Sequence, residues 1–310
     1  MTSKVQLVTI TEDAEGQRLD NFLISRLKGV PKSMIYRIIR KGEVRVNKGR
    51  AKPERKLKAN DVVRIPPVRV SEGKVEVKAS DGLRNLLSES ILYESIGLIV
   101  VNKPSGLAVH GGSGISLGLI ESLRQMRTEN TFLELVHRLD RDTSGCVLVA
   151  KKRSMLVYLQ NLFREKKQID KRYLALVKGR WPNRAKVVEA PLQKNELQSG
   201  ERVVRVSLEG KASKTEFEVV QRYENATLVQ VKPITGRTHQ IRVHAQHKGH
   251  PLACDDKYGD DDFDREMKTL GCKRLFLHAA SLSFNLPTGE ALFVEAPLPD
   301  DLQIVLDNLE

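Results

Sequence analysis

Apolar positions near the start of the chain recur twice at helical spacing and then switch to alternation. Within residues 19–27 they fall at Leu19, Phe22, Leu23, Ile24 and Leu27, the repeat of an amphipathic helix. Within residues 29–42, Met34, Ile35, Ile38 and Ile39 make one helical face. Arg37, Arg40 and Lys41, at i, i+3, i+4, make another. Pro31 suits the entry of that second helix and Gly42 its stop. Residues 44–47 and 61–65 then alternate like strands around a Lys-Gly-Arg turn, and Pro66-Pro67 closes the module. Further on, apolar runs predict strands at 98–101, 146–152 and 172–179. A turn at Lys103–Gly106 leads to a second strand and a glycine-rich loop. A helix is expected over 154–167, two or three strands after residue 213, and a helix beginning near Thr238. Strands and helices intermix without regular βα alternation. The expected class is therefore α+β, a small N-terminal domain preceding a larger one with a mixed, mainly antiparallel sheet flanked by helices and loops. The expected boundaries are 15–75 for the first domain, 76–90 for a linker and 91–310 for the second.

Charge adds a contrast that the apolar pattern does not show. The 310 residues carry a net charge of +13. Between Gly16 and Arg69 there are 16 Lys and Arg against 4 Asp and Glu; the rest of the chain holds 36 against 35. Positive charge concentrated in one module suits a polyanion, because neutralised phosphates release condensed counterions. No apolar run approaches the ~20 residues of a membrane helix, and the first twenty residues lack the features of a signal peptide. Cys146, Cys254 and Cys272 share no metal-ligand spacing and are expected to be reduced thiols of a cytoplasmic protein.

Four segments invite a chemical reading. "VHRLDRDTSG" (136–145) gathers two arginines, two aspartates and a histidine, and its Arg-Leu-Asp repeats an earlier one at 18–20. Asp140 and Asp142 on one strand would point the same way, so a glycosidase-like pair is open; a turn capped by Asp142 that positions Asp140 is equally compatible. Asp20, at a helix start, is read as structural. His239, His244, His247 and His250 tempt toward zinc, but no third ligand follows and Arg237, Arg242 and Lys248 interleave; a basic helix, RNA-facing or partly buried, is preferred. The acidic run at 255–266 lacks calcium-loop spacing and reads as a solvated loop. The glycines at 111–114 are not followed by Gly-Lys-Ser/Thr, so they make no P-loop.

Two resemblances organise these signals. "GEVRVNKGRAKP", a leucine and "NDVVRI" after two short helices resemble the S-four-type (αL) RNA-binding domain, which docks on structured RNA. The resemblance implies phosphate contacts from Lys32, Arg37, Arg40 and Lys41. "NKPSGLAVH", "HRLDRDTSG", "KRYLALVKG" and "GRTHQIRVHA", in this order, resemble the RluA-type pseudouridine synthases, and with the first module the likeness covers almost the entire chain. That family detaches a uracil from its ribose, rotates it and rejoins it through carbon five, with no cofactor or metal. The resemblance implies Asp140 as the essential carboxylate and Tyr173 as a ring against the flipped uracil. It further implies Arg237 as the cation paired with the aspartate, and Arg138 as a filler of the gap left by the extruded base. Members most alike in motif act on several uridines of large-subunit (23S) ribosomal RNA. The expected partner is that RNA, free or in a pre-assembly particle, met by a monomer with no membrane and no nucleotide cofactor. The rival expectations are a non-catalytic RNA-binding or ribosome-assembly protein on the same fold, and an RNA glycosidase or nuclease.

Overall fold

The computed structural model describes residues 4–27, 29–68, 78–111, 117–130, 132–165, 168–196 and 202–310. The chain divides into two compact units, residues 1–77 and 78–310.

The first unit runs β1 (Gln6–Thr9), a 3-10 turn (Glu12–Ala14), α1 (Leu19–Arg26), α2 (Lys32–Arg40), β2 (Arg45–Val46), β3 (Gly49–Arg50) and β4 (Val62–Ile65). Its strands form an antiparallel sheet in the order β1-β4-β2-β3. The apolar faces read from the sequence close over this sheet: Leu19, Leu23, Ile35, Ile38 and Ile39 share one core with Val44, Val63 and Ile65. Helix α2 stops in a Schellman arrangement, Glu43 N–H donating to the Ile38 carbonyl and Gly42 N–H to that of Ile39. Gly42 sits at φ +72°, where a Cβ would also meet the Arg50 side chain at 2.7 Å. The left-handed φ is what calls for glycine there, since the exposed Arg50 side chain can swing aside.

The second unit comprises α3 (Asp81–Glu89), β5 (Ile91–Glu94), β6 (Leu98–Lys103), α4 (Leu119–Met126), β7 (Glu134–Leu135), β8 (Ser144–Ala150), α5 (Arg153–Glu165) and β9 (Ile169–Lys178). It continues with β10 (Val187–Glu189), β11 (Leu192–Glu196), β12 (Arg202–Val206), β13 (Lys214–Arg222) and β14 (Ala226–Pro233). The remainder is α6 (Gln240–His247), α7 (Asp261–Thr269), β15 (Leu277–Asn285), β16 (Ala291–Glu295) and α8 (Asp300–Asp307). Ten strands make one sheet in the order β10-β13-β14-β9-β15-β8-β6-β5, with β16 on β15 and β7 on β8, while β11 and β12 form a separate hairpin. Among the described residues, β8 with β15 is the single parallel pairing. The two strands approach closely there: a Cβ on Gly145, at φ +109°, would lie 2.3 Å from the Ala279 carbonyl oxygen. The fold is α+β with a mixed, mainly antiparallel sheet, as expected.

Three local expectations differ. Residues 81–89, inside the stretch read as linker, form α3, capped by Ser80 Oγ and anchored by the fully buried Leu87. Residues 107–110 bend without pairing as a second strand, and most of the glycine-rich loop lies outside the described residues. The acidic run is not a solvated loop. Asp260 caps α7 through the Phe263 amide, and Asp255 and Asp264 are buried. All three cysteines are free thiols.

Candidate active site

Between β7 and β8 the chain turns through residues 136–143, with Thr143 N–H donating to the Asp140 carbonyl. The segment before it, from Lys103 to Gly106, holds that turn from behind. Lys103 is fully buried, and its Nζ donates to the carbonyls of Pro104, Leu107 and Arg141 at 2.8–2.9 Å. Gly106 N–H reaches the same Arg141 carbonyl and Ser105 Oγ the Asp142 carbonyl. Burial draws the Lys103 pKa down to about 7. Three acceptors nevertheless use all three hydrogens that only the ammonium has.

Asp140 faces a cavity of about 530 Å³, also lined by Arg138, Lys171, Tyr173, Arg237, His239 and Arg242. Asp142 lines a different cavity and pairs with Arg141 at 3.1 Å, so the two carboxyls do not flank one bond and the glycosidase-like pair fails. The Asp140 side chain is 25% exposed, and its Oδ2 stands 3.8 Å from both His239 Nε2 and Arg242 Nη1. Arg242, in the first turn of α6, is buried. Its Nε and Nη2 grip both oxygens of Asp255, and Nη2 also reaches Asp256 at 3.1 Å. Asp255 accepts further bonds from the amides of Lys257 and Tyr258. One edge of the guanidinium is thus locked, and Nη1 is the end left for Asp140. Burial opposes the charge on Arg242, but Asp255, then Asp140, hold its pKa above the ordinary value.

The arginine beside the carboxylate is therefore Arg242 and not Arg237, a correction to the residue the motif resemblance implied. Arg237 precedes the helix and is exposed. Its Nε donates to the Ala212 carbonyl, and its amide is tied to Gln240 Oε1. Arg242, inside α6, is buried and reaches the carboxylate, whereas Arg237 lies in the exposed turn before the helix.

Tyr173 on β9 lies where two apolar clusters meet, partly buried, and burial followed by the Asp140 charge raises the phenol's pKa above its ordinary range. Arg138 is exposed at the cavity. Lys171, two residues before Tyr173 on the same strand face, sits 5.5 Å from the Phe163 ring, and burial lowers its pKa to about 8. His137 stacks on the same Phe163 at 4.8 Å and accepts from Leu148 N–H at Nε2; burial, with Lys171, pushes it down to about 3, so it is neutral.

The histidine run divides by environment. His239 enters the cavity, His244 is fully buried against Ser213 and Thr215, His247 is exposed, and His250 bonds the Lys178 carbonyl. Among the described residues no group of three His, Cys, Asp or Glu could hold a metal ion, and no helix is long and apolar enough to cross a membrane. In the first unit, Lys32, Arg37, Arg40 and Lys41 are all exposed along α2, opposite the buried Ile35, Ile38 and Ile39. Arg242, His239, Asp255, Tyr258 and Lys103 are the site residues that sequence reasoning missed. The available signal was that "GRTHQIR" holds two arginines, one of them a helical turn inside.

Comparison with known proteins agrees with this geometry. Residues 97–247 match the family described as RNA pseudouridylate synthase, and residues 17–63 match the S4 domain. The chain is 61% identical over 308 residues to "Ribosomal large subunit pseudouridine synthase C" of Pasteurella multocida (strain Pm70), covering 98% of this chain and 94% of that protein. It is 60% identical over 313 residues to the protein of the same name from Escherichia coli (strain K12), covering 99% and 98%. Among solved structures, "Human RNA Pseudouridylate Synthase Domain Containing 4" aligns with a TM-score of 0.62 at 30% identity, over 74% of this chain and 95% of that one.

Proposed function

This chain belongs to the RNA pseudouridylate synthase family, and on that premise we propose that it isomerises specific uridines of large-subunit (23S) ribosomal RNA to pseudouridine. The observation that carries the reading is the Asp140 carboxylate, open to a cleft and attended by a guanidinium that Asp255 locks in place. The reaction breaks the bond from ribose C1′ to uracil N1 and forms one from C1′ to C5. C5 loses a proton and N1 gains one, so nothing is added or lost and no cofactor is required. A stacked base is out of reach, so the uridine is flipped into the cleft and Arg138 occupies the space it leaves. Asp140 acts on C1′ or the base as nucleophile, or removes a sugar proton as base. Arg242 and His239 hold its orientation. Tyr173 meets the uracil face as a neutral phenol. Lys171 and Arg237 on the cavity wall, and the α2 strip of Lys32, Arg37, Arg40 and Lys41, contact phosphates. The protein acts as a monomer in the cytoplasm, on free RNA or an assembling large-subunit particle.

The test maps pseudouridine in 23S RNA from cells lacking the protein, complemented with the parent or with Asp140→Asn. Sites should vanish in the deletion, return with the parent and stay absent with the variant. Unchanged sites in the deletion would refute the assignment, and release of free uracil or RNA fragments by the purified protein would show a glycosidase or nuclease instead.

A further inference from the structure

His239 is a bulky residue held in the left-handed region, at φ +52° and ψ +21°, where a side chain other than glycine is uncommon. The turn is fixed around it. Gln240 Oε1 accepts from the Arg237 amide and Thr235 Oγ1, and Gln240 Nε2 donates to the Lys214 carbonyl. This conformation delivers the imidazole edge-on to Tyr258, with ring centroids 5.5 Å apart. His239 Nδ1 lies 2.7 Å from the Tyr258 hydroxyl, and that hydroxyl already accepts from Val204 N–H of the β11–β12 hairpin at 2.9 Å. A phenol has one hydrogen to give. With its oxygen accepting from the backbone, Nδ1 at 2.7 Å is the acceptor within reach of that hydrogen, an arrangement that requires the imidazole proton on Nε2. Burial, against the opposing charge of Asp140, draws the imidazole's pKa below its ordinary value. Tyr258 also lies under the Arg242 guanidinium, 5.1 Å from ring to Cζ. One buried tyrosine therefore templates both groups that approach Asp140.

We propose that His239 is a positioning residue: its tautomer is set by Tyr258, and its Nε2–H and Arg242 Nη1 converge on Asp140 Oδ2, leaving Oδ1 as the oxygen that meets the nucleoside. Both donors stand at 3.8 Å, just beyond hydrogen-bond distance, and the Arg242 guanidinium is within ion-pair reach of the carboxylate. Small rotations as the cleft fills complete the pair of bonds. The chain of contacts runs on to Val204, so the hairpin's backbone helps fix the orientation of the carboxylate. The inference rests on the proposed reaction for its kinetic consequence, but not for the tautomer.

Two measurements test it. Long-range proton–nitrogen correlation spectra of histidine labelled with nitrogen-15, assigned by comparison with His239→Ala, read the tautomer without turnover. Nε2–H is expected in the parent, with loss of that single tautomer in Tyr258→Phe. Single-turnover rates on a 23S RNA fragment containing the target uridine give the second readout. His239→Ala should slow the step by up to about 100-fold while Kd for the RNA stays within about twofold. His239→Gln, which keeps an N–H donor, should recover about tenfold of that loss. Nδ1–H in the parent overturns the proposal, even where the alanine variant fails to fold. So does an alanine variant that keeps its rate, or one whose whole loss is in Kd. A parent that makes no pseudouridine at all, yet shows the Nε2–H tautomer, fails the reaction and not the positioning.

Discussion

Arg18-Leu19-Asp20 and Arg138-Leu139-Asp140 are the same three residues in two settings. In the first, the aspartate side chain is 3% exposed, and its own arginine grips it through Nε at 3.1 Å and Nη2 at 2.7 Å. The Asn21 amide and the Tyr36 hydroxyl fill its remaining capacity. In the second, Arg138 points to the open cavity, and the attending donors, His239 and Arg242, come from the start of a helix far along the chain and stop at 3.8 Å. A carboxylate with every acceptor site filled can only hold structure together. One whose partners orient it without saturating it keeps an oxygen for chemistry. The tripeptide does not decide between these outcomes; the elements that pack around it do.

The widest separation between the two sites comes from removing each charge. Asp140→Asn should lower kcat by at least about 10⁴-fold with RNA affinity nearly unchanged. Asp20→Asn should leave kcat per folded molecule intact, and a comparable loss there would erase the contrast. Next in size, Arg242→Lys should cost about 100-fold in kcat, because a point charge cannot hold Asp255 and Asp140 together. Arg242→Met should also destabilise the fold by about 3–5 kcal/mol by stranding the buried Asp255, which chemical denaturation would register. Arg237→Ala should act on KM and spare kcat; the reverse pattern would restore Arg237 as the partner. Reversing Arg37, Arg40 and Lys41 to Glu should weaken RNA binding and flatten its salt dependence by about 0.7–0.9 in slope for each phosphate that the protein no longer neutralises. An unchanged slope would remove α2 from the interface.

The smallest effect expected is on stability at Asp20. Arg18, against the opposing effect of burial, holds the Asp20 pKa below its usual 3.8. The carboxylate's contribution is therefore fully present above about pH 4 and is lost as pH falls through the lower folded-state value. Asp20→Asn should cost about 1–3 kcal/mol at neutral pH. The variant should also show a shallower stability loss below pH 4 in acid titrations followed by circular dichroism.

What could be read in the sequence is what local repetition encodes. The cationic strip on α2 follows from the 3.6-residue period, and the strand at 172–179 from alternation. Asp140 and Tyr173 stood out through motif order. What could not be read depends on partners distant along the chain. Whether residue 237 or 242 faces the carboxylate turns on which of them lies inside α6, and the motif alone does not place the helix start. Asp255 looks like one acid among many in 255–266, because Arg242, its partner, lies thirteen positions away. The four histidines read as one basic helix, yet the fold places one in the site, one in the core and two outside the cavity.

The parallel contact between β8 and β15 bears on how the enzyme is made. Ser144, which directly follows the aspartate turn, bonds His278, a residue 134 positions later. During synthesis β8 can pair with β6 and β7 early, but its Ser144–Gly145 end waits for β15, more than 130 residues later, to emerge. A nascent chain that has not yet made β15 thus carries the 136–143 turn without the partner that Ser144 bonds in the finished fold.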